Sequence, residues 1–87
     1  MTLPAIRIIG IDPGLRNTGW GIIDCQGSRL SFVACGRIHP TPELEMGERL
    51  RQLNMGLLDV IAQYSPSEAA IEETFVNRDP QSALKLG

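Results

Sequence analysis

The 87-residue sequence predicts an α/β fold: three strands paired antiparallel, one helix, and a fourth strand parallel to the first. Three observations carry this expectation. Two short apolar segments, AIRIIGID (5–12) and TGWGIID (18–24), flank a Pro13-Gly14 break, and Gln26-Gly27-Ser28 separates the second from LSFVACGRI (30–38), the pattern of a hairpin. Leu50, Leu53, Leu57, Ile61 and Tyr64 then recur at helical spacing, before EAAIEETF (68–75) returns to strand character.

Each element has a local reason. Residues 5–12 are short, β-branched and nearly all apolar, as expected of a strand covered on both faces. Pro13 removes a backbone donor and Gly14 permits positive φ, so the strand ends there. With a turn centred on Gly27-Ser28, Cys25 faces Leu30 and Cys35 faces Trp20. The two sulfurs then lie roughly 17 Å apart at about 3.4 Å per residue, too far for a disulfide, and both cysteines read as small buried apolar residues. His39-Pro40-Thr41-Pro42 is a linker around an ordinary loop histidine, with Thr41 as N-cap and Pro42 at the first helical position. Glu43 and Glu45 add first-turn negative charge, and the helix runs from about 43 to 64 with the Leu50–Tyr64 stripe in the core. Ser65-Pro66 stops it. VNRDPQ is a loop, and SALKL (82–86) reads as the opening of another helix. The sheet so built has a helix on one face and nothing on the other, so the chain is expected to be the N-terminal part of a longer domain, its bare face prone to self-association.

Composition narrows the function classes. Hydrophobic content of 43% and charged content of 21% are those of a folded globular domain. No secretory signal pattern or bilayer-length apolar run is present, so a soluble, cytoplasmic protein with no membrane partner is expected. The net charge of −2 and eight scattered Lys and Arg residues show no basic patch and argue mildly against nucleic acid.

The residues that can carry chemistry are carboxylates at strand ends. Asp12 closes the first strand, and Glu72 and Glu73 lie near the end of the fourth. Strand alternation lets only one of the two glutamates share a face with Asp12. Adjacent parallel strands would bring their C-terminal ends within about 4.8 Å, close enough for two carboxylates to share a divalent cation. Oxygen ligands without His or Cys suit Mg²⁺ or Mn²⁺, and such ions activate water for phosphodiester hydrolysis. On pattern alone, an Asp before Pro-Gly is more commonly a turn residue. Gly14, Gly19 and Gly21 serve the backbone, in a tight turn or a close approach, and Trp20 reads as core.

Taken together, GIDPGLRNTGWGII, AIEETF and SALKLG resemble the N-terminal half of the RuvC-type Holliday-junction resolvases, in order and over nearly the whole chain. The resemblance implies a ribonuclease H-like fold, with residues 1–87 the N-terminal part of one nuclease domain. It implies a homodimer that cuts opposed strands of four-way junction DNA with Mg²⁺, for which Mn²⁺ can substitute, alongside a branch-migration complex of RuvA and RuvB type. The family's first two metal-binding catalytic carboxylates fall on Asp12 and Glu72; Glu73 is not a family ligand. Phe75 matches an aromatic that stacks on bases near the junction centre. Arg16, Asn17, Arg78 and Lys85 are further candidate DNA contacts. Two remaining family carboxylates, much of the basic DNA surface and the main dimer helix belong to the C-terminal part, so these 87 residues alone are expected to be inactive. The alternatives are a resolvase-like RNA-processing nuclease and an actin-like ATPase-type phosphate-binding domain. The latter usually has Gly-Thr or Gly-Ser after the aspartate, where this chain has Pro-Gly-Leu-Arg.

Overall fold

A computed structural model of the chain describes residues 3–14 and 16–71. It contains β1 (Ile6–Asp12), β2 (Thr18–Gln26), β3 (Arg29–Ile38), α1 (Met46–Tyr64) and β4 (Glu68–Ile71). The strands form one mixed sheet in the order β3-β2-β1-β4. β1 and β2 are antiparallel, as are β2 and β3, while β4 runs parallel to β1. This is the expected α/β arrangement. Residues 72–75, expected to continue β4, and the expected helix at 82–86 lie outside the described residues.

The hairpin turn is Gly27-Ser28, closed by the Gln26–Arg29 pair. Gly27 has φ of 61° and Ser28 does not share the positive φ, the pattern of a type II′ turn that matches strand twist. Near the turn the expected register holds, with Cys25 opposite Leu30. Farther along it does not. Ile23 pairs Phe32 but Ile22 pairs Ala34, so Val33 is an extra residue in β3. Beyond this bulge Cys35 faces Gly21, not Trp20, and Trp20 faces Gly36. Both cysteines are free, as expected, but Cys35 is exposed and Cys25 only half-buried, so the expectation that both are buried fails.

Helix α1 covers one sheet face. Val60 joins Ile9 and Ile22 in the buried core, and Ile11, Trp20, Val33 and Tyr64 pack around them. The Trp20 and Tyr64 rings are 5.8 Å apart, which makes Trp20 a packing residue. Gly56 lets the helix approach Ile38: a Cβ there would stand 3.0 Å from the Ile38 side chain. Because this contact turns the Gly56–Val60 side inward, the expected stripe is only partly buried. Leu53, Leu57 and Tyr64 are half-buried, whereas Leu50 is 52% exposed and Ile61 is exposed as well.

The helix also starts later than expected. Thr41 is not its N-cap; the Leu44 N–H donates to the Thr41 carbonyl, and Pro42 occupies a turn ahead of the helix. Glu45 is the N-cap and makes no side-chain cap bond, while Glu48, not Glu43, is the first-turn acid. The Ser65-Pro66 stop is as expected. Ser65 has φ of 49° and its N–H donates to the Ile61 carbonyl. Arg7 pins this end of the layer: its fork donates to both Asp24 carboxylate oxygens at 2.8 and 3.0 Å, and its third nitrogen donates to the Tyr64 carbonyl.

The other face of the sheet has no helix among the described residues. It carries Leu30 and Phe32, 67% and 71% exposed, at the hairpin end and Asp12 at the opposite end.

Candidate active site

Asp12 closes β1 and pairs Gly19 across the antiparallel ladder. Its side is fixed by alternation. Ile9 and Ile11 face α1, so Gly10 and Asp12 face the open side. There Asp12 borders a shallow concavity of about 500 Å³ with Gly10, Gly19, Gly21, Cys35 and Arg37. A Cβ built on Gly19 would stand 3.8 Å from the Asp12 Cβ, and one on Gly21 would meet no described atom within 4 Å. The floor beside the carboxylate is therefore nearly bare backbone, although these glycines have ordinary strand conformations.

The loop after Asp12 is closed by Thr18. The Gly14 N–H donates to the Thr18 hydroxyl oxygen at 3.3 Å, and the hydroxyl donates to the Gly14 carbonyl at the same distance. Thr18 is fully buried. Gly14 is required by crowding and not by positive φ, because a Cβ there would collide with the Asn17 carbonyl. A buried threonine thus holds the loop that leaves the Asp12 strand end. Thr18 was missed in the sequence; the signal was a hydroxyl residue just after a Pro-Gly turn, placed to bond back to turn backbone.

Among the other expected DNA contacts, Arg16 is exposed on this loop, and the Asn17 side-chain oxygen accepts from Arg37 at 3.2 Å. Arg37 was not singled out in the sequence. Under the unbulged register it would pair Thr18 and face α1, and no residue type at Val33 announces the bulge. Glu72, Phe75, Arg78 and Lys85 lie outside the described residues. The last described pair of the parallel β1–β4 ladder is Ile11 with Ile71.

Chemically, Asp12 offers a hard oxygen donor in an open hollow at the C-terminal ends of two parallel strands, a common ligand position in α/β sheets. That donor fits a divalent cation of the Mg²⁺ class. The described residues contain no group of three or more His, Cys, Asp or Glu side chains placed to hold a metal, so Asp12 by itself offers one donor and not a complete centre. No described helix is long and apolar enough to cross a membrane.

Comparison with known proteins agrees with this geometry. The family model described as "Crossover junction endodeoxyribonuclease RuvC" matches residues 8–87. Relatives with that name from Methylocella silvestris and Xanthobacter autotrophicus are 67% and 64% identical over all 87 residues, which span 49% and 52% of their lengths. The chain thus spans about half the length of these relatives. The solved structure of RuvC from T. thermophilus in complex with a Holliday junction substrate superimposes with a TM-score of 0.74 at 26% identity, covering 94% of this chain and 50% of that one. Neither the RNA-processing nor the ATPase alternative is favoured by these matches. With the mixed sheet, the helix and Asp12 at its strand end, they show that the chain belongs to the RuvC family of crossover junction endodeoxyribonucleases.

Proposed function

We propose that the whole protein is a divalent-metal-dependent endonuclease that resolves four-way DNA junctions in recombination and repair by hydrolysing a phosphodiester in each of two opposed strands. The observation that carries this reading is Asp12: a carboxylate at the end of β1, beside parallel β4, facing a bare glycine floor in a chain of this family. Asp12 and Glu72 would hold Mg²⁺, or Mn²⁺ in its place. They are the residues next in sequence after the Ile11–Ile71 pair, and parallel pairing supports their common use. When bound, the cation would lower the pKa of a coordinated water and stabilise the leaving oxygen.

The chain's own residues orient the substrate. Thr18 and Gly14 fix the loop after Asp12, and the glycines leave space for a sugar–phosphate backbone. Arg16, Asn17, Arg78 and Lys85 would contact phosphates, and Phe75 would stack on bases. The remaining ligands would lie in the half of the relatives' length that this chain does not span, along with the dimer-forming helix and elements that cover Leu30 and Phe32. The 87 residues would then be one part of a nuclease domain, inactive alone. The whole protein would work in the cytoplasm as a homodimer with a branch-migration complex of RuvA and RuvB type.

The test is cleavage of a four-way junction by the whole protein with Mg²⁺. Loss of cleavage in Asp12→Asn and Glu72→Gln, with junction binding retained, is the expected result. Wild-type turnover in either variant would remove that residue from the centre.

A further inference from the structure

The Val33 bulge changes which side of the sheet the end of β3 presents. Before it, Leu30 and Phe32 share the open face with Cys25 and Ile23; after it, Cys35 and Arg37 do, opposite Gly21 and Gly19. Without the extra residue Arg37 would pair Thr18 and point at α1. Bulges beside functional sites often re-aim a side chain in this way. The result is one transverse row across three strands: Asp12 on β1, Gly19 on β2 and Arg37 on β3. Two strand spacings separate the ends of the row, roughly 10 Å at about 4.8 Å each. Gly19, between them, has no side chain to obstruct the hollow that both residues border.

Arg37 is exposed, and among the described residues its guanidinium donates to the neutral side-chain oxygen of Asn17 and to no carboxylate. An amide partner orients the planar group without cancelling its charge. A guanidinium held this way suits a phosphate, which it can grip with two parallel N–H donors.

We infer that Arg37, aimed by the Val33 bulge and oriented by Asn17, is a phosphate-binding residue on the far wall of the Asp12 hollow, gripping the DNA backbone across Gly19. This rests on the nuclease reading, but its consequences can be read separately. Arg37 sets backbone position and carries no base preference. Asn17, besides its own proposed phosphate contact, positions Arg37.

The experiment measures affinity of the whole protein for a four-way junction across a salt series, in the Asp12→Asn background so that DNA stays intact. One phosphate contact contributes about 0.9 to the slope of log affinity against log salt. Arg37→Gln is expected to weaken binding at low salt and to reduce the slope by about one contact. Its disadvantage should therefore shrink roughly 3.5-fold between 50 and 200 mM salt. Arg37→Lys keeps the slope while losing affinity, because the charge remains and the fork is lost. Asn17→Ala likewise weakens binding at unchanged slope. An unchanged affinity and slope in Arg37→Gln overturns the inference, whatever Asp12 does. Wild-type cleavage by Asp12→Asn alone instead overturns the metal-centre reading and leaves the salt slopes to judge Arg37.

Discussion

On the face covered by α1, Gly36 lies so close beneath Trp20 that a Cβ would stand 2.7 Å from the indole ring; on the open face, a Cβ on Gly21 would meet no described atom within 4 Å. The two glycines sit one position apart on the ladder, pairing Trp20 and Cys35 respectively. Gly36 is explained by packing, since it makes room for the ring that meets Tyr64. Nothing in the described fold requires Gly21. The contrast separates a face whose residues answer to packing from one that packing among the described residues leaves unconstrained at Gly21.

The largest stability effect expected is on the covered face. Gly36→Val should destabilise the protein by about 1–3 kcal/mol through overpacking against Trp20, read from denaturant midpoints. A neutral outcome would mean that the indole moves freely and that the packing account is wrong. Thr18→Val, at the border of the site, should cost about 1 kcal/mol by removing both hydrogen bonds to Gly14.

The Arg7–Asp24 pair gives the covered face a pH signature. The hydrogen-bonding Arg7 guanidinium holds the Asp24 carboxyl below its ordinary value of 3.8. The pair's contribution is therefore full above that value and lost as pH falls through the depressed one. Asp24→Asn should be less stable at neutral pH and should lose stability less steeply below pH 3.8, as acid titration of unfolding would show. An unchanged acid limb would contradict the role given to this pair. The smallest expected stability effect is that of Gly21→Val, within about 0.5 kcal/mol of the parent. If that variant unfolds, the open face is under the same packing constraint as the covered one. If it folds and cleaves junctions poorly, the contrast is sharpened.

The strands, the hairpin and the helix were legible in the sequence because they follow from local signals, and the place of the fourth strand beside the first followed from the family resemblance. The apolar run to Asp12, the Gly27-Ser28 turn and the helix preceding EAAI leave few ways to build the sheet. What was illegible depends on contacts between elements. The Val33 bulge turns Cys35 outward and brings Arg37 into one row with Asp12 across Gly19, and no residue type at 33 announces it. The close approach of Gly56 to Ile38 decides which part of the Leu50–Tyr64 stripe is buried, so Leu50 and Ile61 stay exposed. Thr41-Pro42 has the composition of a helix start, yet the Thr41 N–H donates to Gln52 Oε1 and its carbonyl closes a turn before Glu45. In the candidate site, position alone made Asp12 more commonly a turn residue and the family resemblance singled it out, while Thr18 and Arg37 needed the loop closure and the register.

On the proposed function, Asp12 is kept for metal binding and not for the turn behind it. Asn is as good a turn residue as Asp, so a turn role predicts that Asp12→Asn keeps both fold and activity. The most direct measurement pairs the thermal unfolding of whole-protein Asp12→Asn with its Mg²⁺-dependent cleavage of a four-way junction. The account predicts an unfolding free energy within about 0.5 kcal/mol of the parent. It also predicts cleavage reduced by roughly a hundredfold or more, as expected when several kcal/mol of transition-state stabilisation is lost. Wild-type cleavage by the variant would return Asp12 to the turn and contradict the account.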